Sequence, residues 1–406
     1  MAISVRNFLV TTLFWVTASA VQAQTLTLDT ALQNAFANNP ELAAARWEID
    51  IAEGGRQQAG LIPNPVVSWD AEDTRRDSRT TTIKLSQTLE LGGKRGARVD
   101  VATRAQDAAA LTLEQRRNGL RADVIDSYYA ALRAQERLDL AQRSLALAER
   151  GLIVANGRVS AGKSSPVEAT RAQVQLSEIR LELNRAQIGL TDAYRRLAAS
   201  TGSATPDFQA VASQRESTPV LPPAALLLAR LEQTAELRLA ELQVLQNDAS
   251  VGLEKAQRIP DLDVSIGSQY DASVRERVNV VGVSMPIPLF NRNQGNVLAA
   301  SRRADQARDL RNAAELRLRT ETRQALDLWQ TANTEVRAFN QQILPAAQNA
   351  VDSATRGFEM GKFNFLDVLD AQRTLIAART QYLTATAQAT DAWVRIERIY
   401  GDLARF

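Results

Sequence analysis

The 406-residue chain contains no cysteine and no histidine. Without cysteine it has no disulfides, and it lacks the N-terminal Cys that would carry a lipid. With neither thiolate nor imidazole, a dedicated transition-metal centre would rest on oxygen ligands, which select poorly for zinc or copper. Triads built on His or Cys are excluded, and no G-x-S-x-G, Walker or dinucleotide-binding sequence is present. An excess of one charge is missing too. Setting aside Arg6 leaves 47 Lys+Arg against 46 Asp+Glu, so no long basic stripe offers itself to nucleic acid. The expectation is a protein that is not an enzyme, with no cofactor, no resident metal and no nucleic-acid partner.

Long apolar runs are also scarce, and the one present lies at the start. Arg6 is the only charge among residues 1–23, Phe8 to Val16 are mostly apolar, and Ala18 to Ala23 supply small residues that a signal peptidase accepts. The stretch is short for spanning a bilayer, so it reads as a signal peptide cleaved before Gln24. No later segment reads as a transmembrane helix.

What the chain does contain is itself, twice. "IPNPVVSW" at 62–69 returns as "IPDLDVSI" at 259–266, an offset of 197. "LSQTLELGGKRG" at 85–96 is answered by "VSMPIPLFNRNQG" at 283–295, about 198 positions on. "AGKSSPVEATRAQ" at 161–173 returns as "MGKFNFLDVLDAQ" at 360–372, an offset of 199. Three landmarks in one order at nearly constant spacing mark an internal duplication. Residues 24–200 form the first repeat and 225–406 the second, joined by a Ser-, Thr- and Pro-rich linker at 201–224.

Each repeat reads as helix, two strands, long helix and helix, a mixed α and β architecture. Residues 28–61 favour helix with a break at Asn38-Asn39-Pro40, and 97–161 contain no proline. The second of these helices would be about 95 Å long. Gly162 to Pro166 stop it and start the next, 166–200, in which Val174, Leu181 and Ile188 recur every seven residues, as do Leu176, Leu183 and Leu190. Val368, Leu375 and Tyr382, and Leu369, Ile376 and Leu383, do the same in the second repeat, giving a coiled-coil register. The 34- and 35-residue helices together match the length of the long one, so they should stack end to end along it.

The strands alternate. Thr82, Lys84, Ser86, Thr88 and Glu90 interleave with Ile83, Leu85, Gln87, Leu89 and Leu91. Likewise Asp261, Asp263 and Ser265 interleave with Leu262, Val264 and Ile266. Period two over about ten residues suits a sheet wet on one face and apolar on the other. Four such strands leave two unpaired edges, which lipid does not tolerate, so a membrane barrel requires further copies of the chain. On pattern alone, an exported helical bundle with two edge hairpins remains the alternative.

"LSQTLELGGKR" and "SMPIPLFNRNQG" resemble the strand-to-helix junctions of the TolC-like outer-membrane efflux family, in particular its heavy-metal branch, the CzcC-like components of cobalt-zinc-cadmium export. The resemblance spans essentially the whole mature chain. It implies a homotrimer in the outer membrane, in which twelve strands form one lipid-embedded β-barrel continued by a periplasmic α-helical tunnel. It also implies two partners, a periplasmic membrane-fusion adaptor and an inner-membrane RND-type exporter. The function expected from it is an exit duct for divalent heavy-metal cations. Drug efflux, type I secretion or a poreless exported coiled-coil protein are the alternatives.

Three sets of residues stand out. Pro286 and Pro288, matched by Gly92 and Gly93, loosen the ladder where strands leave the barrel for the tunnel, or simply trim a strand end. Gly162-Lys163 and Gly361-Lys362 mark tight interhelical turns, the surfaces a rod offers an adaptor, although a glycine there needs no role beyond its positive φ. "FLDVLDAQRTL" at 365–375 resembles the family's tunnel-mouth segment and makes Asp367 and Asp370 gate candidates, the other reading being acids favoured in a first helical turn. Arg171 and Arg373 lie near the same mouth and would pair with carboxylates there, or else be solvated.

Overall fold

The computed structural model describes residues 25–73, 75–212 and 221–403. The expected leader cleavage site, and residues 213–220 of the expected linker, lie outside these.

Thr27 caps α1 (Leu28–Asn38), and Asn39 caps α2 (Pro40–Ala59), each through a side-chain oxygen accepting a backbone N–H of the first turn. Strands β2 (Val66–Glu72) and β3 (Thr80–Leu89) follow, then α3 (Lys94–Ser160), a 67-residue helix, and α4 (Pro166–Ser200). The second repeat has α5 (Ala224–Ala229), a 3₁₀ turn and α6 (Ala235–Ala256). Strands β5 (Leu262–Asp271) and β6 (Glu276–Ser284) come next, then α7 (Gln294–Ala338). A π-helical turn at Phe339–Ile343 leads into α8 (Leu344–Glu359), and α9 (Phe365–Tyr400) ends the fold. Two elements carry no repeat signal: β1 (Thr25–Leu26) pairs in parallel with β4 (Ala210–Val211), which lies within the expected linker.

The helices form a single layer. On one side α3 packs against α2 and α4, on the other against α6 and α9, and these two in turn pack on α7 while α9 also packs on α8. The expected end-to-end stacking is present: Gly202, at φ +84° beyond α4, abuts the α1–α2 turn so closely that a Cβ would lie 2.6 Å from the Asn38 carbonyl oxygen. Close approach along the layer comes from small residues at heptad spacing. Ala141, Ala148 and Ala155 of α3 and Ala378, Ala385 and Ala392 of α9 are all buried, as are Ala172 and Ala186 of α4 on either side of the buried Ile179. The heptad series Val174, Leu181 and Ile188 behaves differently. These side chains are 54–61 % exposed on α4, an edge helix with no neighbour on that side in a single chain.

The main core lies midway along the layer, where α1, β1, β4 and α5 gather against α3, α7 and α9 around the fully buried Tyr128. Its hydroxyl donates to the Ala212 carbonyl at 2.8 Å and so ties β4 to α3.

At one end the four strands form one antiparallel sheet in the order β2-β3-β5-β6, the two repeats meeting at β3–β5. Direct partners share a face. Val67, Leu85, Ile266 and Val281 line up across the sheet on one side, and Ser86, Ser265 and Gly282 on the other. The apolar side is bare, with Ile266 57 % and Val281 74 % exposed. Among the described residues no helix is long and apolar enough to cross a membrane.

Candidate functional site at the tips and the strand–helix junctions

Far from the sheet, both long helices end in the same turn. Past α3, Gly162 sits at φ +69°, its N–H reaching the Val159 carbonyl and that of Lys163 the Arg158 carbonyl. Past α8, Gly361 at φ +72° repeats this, with Gly361 bonded to Phe358 and Lys362 to Gly357. Both are Schellman endings, which need a left-handed residue and therefore favour glycine. Lys163 and Lys362 are exposed, as are the apolar Val167, Met360, Phe363 and Leu366 around them.

A residue that sequence reasoning passed over joins the two turns. Arg158 of α3 donates from Nε to Ser164 Oγ (3.1 Å) and from Nη1 to the Phe358 and Phe363 carbonyls (3.2 and 3.4 Å). Its guanidinium lies 4.8 Å from the centre of the Phe358 ring. Gly357 makes room for this arrangement, since a Cβ there would lie 2.1 Å from the Phe363 ring.

Asp367 is the third residue of α9 and half of a capping box: its carboxylate accepts from the Asn364 N–H at 2.9 Å, and the Asn364 side chain accepts in return. Asp370, exposed and one turn on, shares with it a shallow groove of about 430 Å³ beside Ser353, Phe363 and Thr374. Arg373 lines a different groove of about 750 Å³, between α3, α4 and α9, together with Gln175 and Glu178. Arg171 is exposed on α4. Among the described residues no ion pair links either arginine to Asp367 or Asp370. The structure thus brings the two aspartates together, and Arg373, one turn beyond Asp370 on α9, makes no ion pair with either of them.

At the other end the two junctions differ. Gly92 and Gly93 take φ of +70° and +73°, and Gly93 caps α3. This junction is sealed between the repeats. A Cβ on Gly92 would lie 2.8 Å from that of Ile259, Lys94 Nζ pairs with Asp261 at 2.6 Å, and the Leu91 N–H donates to the same carboxylate. Arg98 chelates Glu90 and holds that carboxyl below its usual range. The second junction is open. β6 ends at Ser284, two residues before Pro286, and Pro286 and Pro288 carry Ile287 and Phe290 at 78 % and 90 % exposure. Asn293 at φ +57° takes the place of Gly93, and its side-chain amide donates to Glu254.

The profile of the outer membrane efflux protein family matches the chain twice, over 31–203 and 226–402. The cobalt-zinc-cadmium resistance protein CzcC of Cupriavidus metallidurans is 41% identical over 376 residues, 93% of this chain and 90% of that protein. The nickel-cobalt-cadmium resistance protein NccC of Alcaligenes xylosoxydans xylosoxydans is 30% identical over 305 residues, 73% of this chain and 69% of that protein. A crystal structure of CusC superposes with a TM-score of 0.78 at 20% identity, covering 92% of both chains. The open state of the MtrE outer membrane channel of Neisseria gonorrhoeae gives 0.77 at 19%, covering 93% of this chain and 90% of that one. At such identities the likeness carries the fold, a barrel-forming sheet with long helices. With both halves matched and a relative 41% identical over nearly its full length, this chain belongs to the outer membrane efflux protein family.

Proposed function

We propose that this outer-membrane efflux protein is the exit duct for divalent heavy-metal cations driven out by an inner-membrane RND-type exporter. The observation that carries the cargo is the 41% identity, over nearly the full length, to a cobalt-zinc-cadmium resistance protein. The free edges of β2 and β6 support a homotrimer in which three four-stranded sheets make one twelve-stranded barrel, since each unpaired edge is costly in lipid. The division into two repeats is supported by the paired family matches on either side of the linker.

In this reading the apolar face of the sheet meets outer-membrane lipid and the polar face lines the lumen. The helical layers of three copies continue the barrel into the periplasm, and the tips around Lys163 and Lys362 meet the adaptor. The duct performs no chemistry. A chain without His or Cys offers a transiting cation neither imidazole nor thiolate, so a tight transition-metal site along the path is not expected and the cation passes, with selection left to the exporter in this reading.

The test is deletion of the gene in its own host. Tolerance to cobalt, zinc and cadmium is expected to fall with a rise in retained metal, and the wild-type gene to restore both. Unchanged metal tolerance together with new sensitivity to drugs or dyes would overturn the cargo in favour of drug efflux.

A further inference from the structure

The two faces of the sheet differ in the sign of their charge as well as in polarity. All five acids of the four strands, Asp70, Glu72, Asp263, Asp271 and Glu276, lie on the polar face with Lys84. On the apolar face, among the described residues of these strands, the one charge is Arg277, at the end of the row Ala71, Thr81, Tyr270 and Arg277. Arg79 joins it. The Ala272 N–H donates to the Arg79 carbonyl at 3.1 Å, which extends the β3–β5 ladder by one pair. That pair sets Arg79 on the same face as Thr81, one row nearer the hairpin turns.

Both arginines stand at the level of a membrane boundary. An arginine on a lipid-facing strand is costly at mid-membrane and nearly free at the interface. Arg277 is separated from Val281 of the apolar row by roughly 13 Å of strand. Trp69 and Tyr270 occupy the last two strand rows before the turns, as the aromatic girdle of a barrel does. The helices leave the opposite end of the sheet, so these turns face away from the periplasm and lie at the outer leaflet. Among the described residues neither arginine is in an ion pair. In the β2–β3 turn the Asp73 carboxylate is taken by Arg75, at 2.7 Å, and by Ser78. Asp271 and Glu276, close to the same level, lie on the other face. The Arg277 guanidinium stands 5.9 Å from the centre of the Tyr270 ring, and both arginines are exposed.

We infer that Arg79 and Arg277 bind the phosphate groups of an anionic glycolipid of the outer leaflet, of the class of bisphosphorylated lipid A. Its acyl chains then lie along the apolar rows below. A guanidinium presents parallel N–H donors that match a phosphate, and it carries its charge at any pH the membrane meets. The two arginines are two strands and one row apart, roughly 12 Å, comparable to the length of a disaccharide bearing a phosphate at each end. A zwitterionic phospholipid has no net negative charge for them to hold, and free phosphate has no chains to cover Ile266 and Val281. The distribution of acids fits the same occupant. With Asp271 and Glu276 turned to the polar face, no carboxylate of the strands stands beside the headgroup to repel it.

This site rests on the reading in which the apolar face meets lipid, and the test separates the two. The full protein, purified from outer membranes in detergent, is offered lipid A or its dephosphorylated form, and bound lipid is counted by native mass spectrometry. The wild type should prefer the phosphorylated form. R79Q and R277Q should each bind it roughly fivefold more weakly, the factor expected for one basic residue at an anionic surface. R79K/R277K should keep the preference, and inorganic phosphate in large excess should not displace the lipid. Equal binding of both lipids by the wild type, or an unchanged preference in R79Q/R277Q, would overturn the site. Displacement by inorganic phosphate would make it an ion site and overturn it too. The chain has no cysteine, so V281C takes a single spin label. In phosphatidylethanolamine vesicles that label should be reached by oxygen and not by a water-soluble nickel chelate. With that result and no phosphate preference, the duct stands and the arginine site falls. A label open to the nickel chelate takes the face out of lipid, and both fail.

Discussion

Glu397 is 1 % exposed on α9, yet it is a carboxyl in an apolar layer. Arg121 of α3 donates to it from Nε at 2.9 Å and reaches Asp402 with its other arm at 2.8 Å. Burial pushes the Glu397 carboxyl above its usual range, and Arg121 pulls it part of the way back. An acid whose folded-state pKa is raised stabilises the fold only at low pH, and that contribution is lost as pH rises through the folded value. Removing Arg121 withdraws the compensation, so the penalty grows as the carboxyl ionises. R121A should cost about 3–5 kcal/mol near neutral pH and much less below pH ~4.5, close to the ordinary glutamate value. Denaturant melts followed by circular dichroism at both pH values check this, and an equal loss at both would assign the defect to packing alone. This pair was invisible in sequence because its members are 276 positions apart and follow no motif. The same holds for Arg158, whose contacts across the two turns include the Phe358 and Phe363 carbonyls, groups that any residue supplies.

At the scale of elements, the alternating strands make the sharpest prediction. Ile266 lies mid-strand in a row with Val67, Leu85 and Val281, and Ser265 beside it on the opposite face. If the apolar row meets lipid, I266R should impair assembly by ~2–4 kcal/mol, while S265R should still fold and narrow the lumen. Membrane yield and single-channel conductance distinguish the two, and equal tolerance would refute the assignment of faces. Much at this scale was legible beforehand. Asn39-Pro40, the Gly162–Pro166 stop and the proline-free stretch before it placed α2, α3 and α4 to within three residues, because caps and breakers act locally. The β1–β4 pair was not legible, since two-residue strands leave no period and their partners lie 185 positions apart. Nor was the π-helical turn in the second long helix, which precedes Pro345 and has no counterpart in α3. Of the heptads read on large residues, Leu176, Val368 and Leu369 are buried while Val174, Leu181 and Ile188 are exposed, and a further buried repeat runs through alanines. Large apolar residues dominate any periodicity by eye, yet close helix packing is set by small ones.

The whole molecule is an open layer, and the proposed gate exists only when three copies close it. Asp367 and Asp370 share one groove on α9, so a three-fold axis would gather six carboxylates around the tunnel mouth. Such a ring draws cations and repels itself, and multivalent ions should plug it by bridging neighbouring copies. The capping box decides how to test this. Asp367 also holds the start of α9, so replacement by Ala would remove charge and cap together and cost the helix about 1 kcal/mol. Asn removes the charge while its amide oxygen still accepts from the Asn364 N–H, so D367N/D370N isolates the electrostatics. In planar-bilayer recordings with divalent or trivalent cations added from the tip side, the wild type should be blocked. The double variant should need clearly more cation for the same block, because the ring's charge is what holds the ion there. Arg171 and Arg373, which form no ion pair with these acids among the described residues, should change block little when replaced by Gln. Undiminished block in D367N/D370N would take both aspartates out of the gate and leave them as helix-capping and first-turn acids. Conductance itself would survive that result, because the duct requires closure of the barrel and helical layer and not this ring.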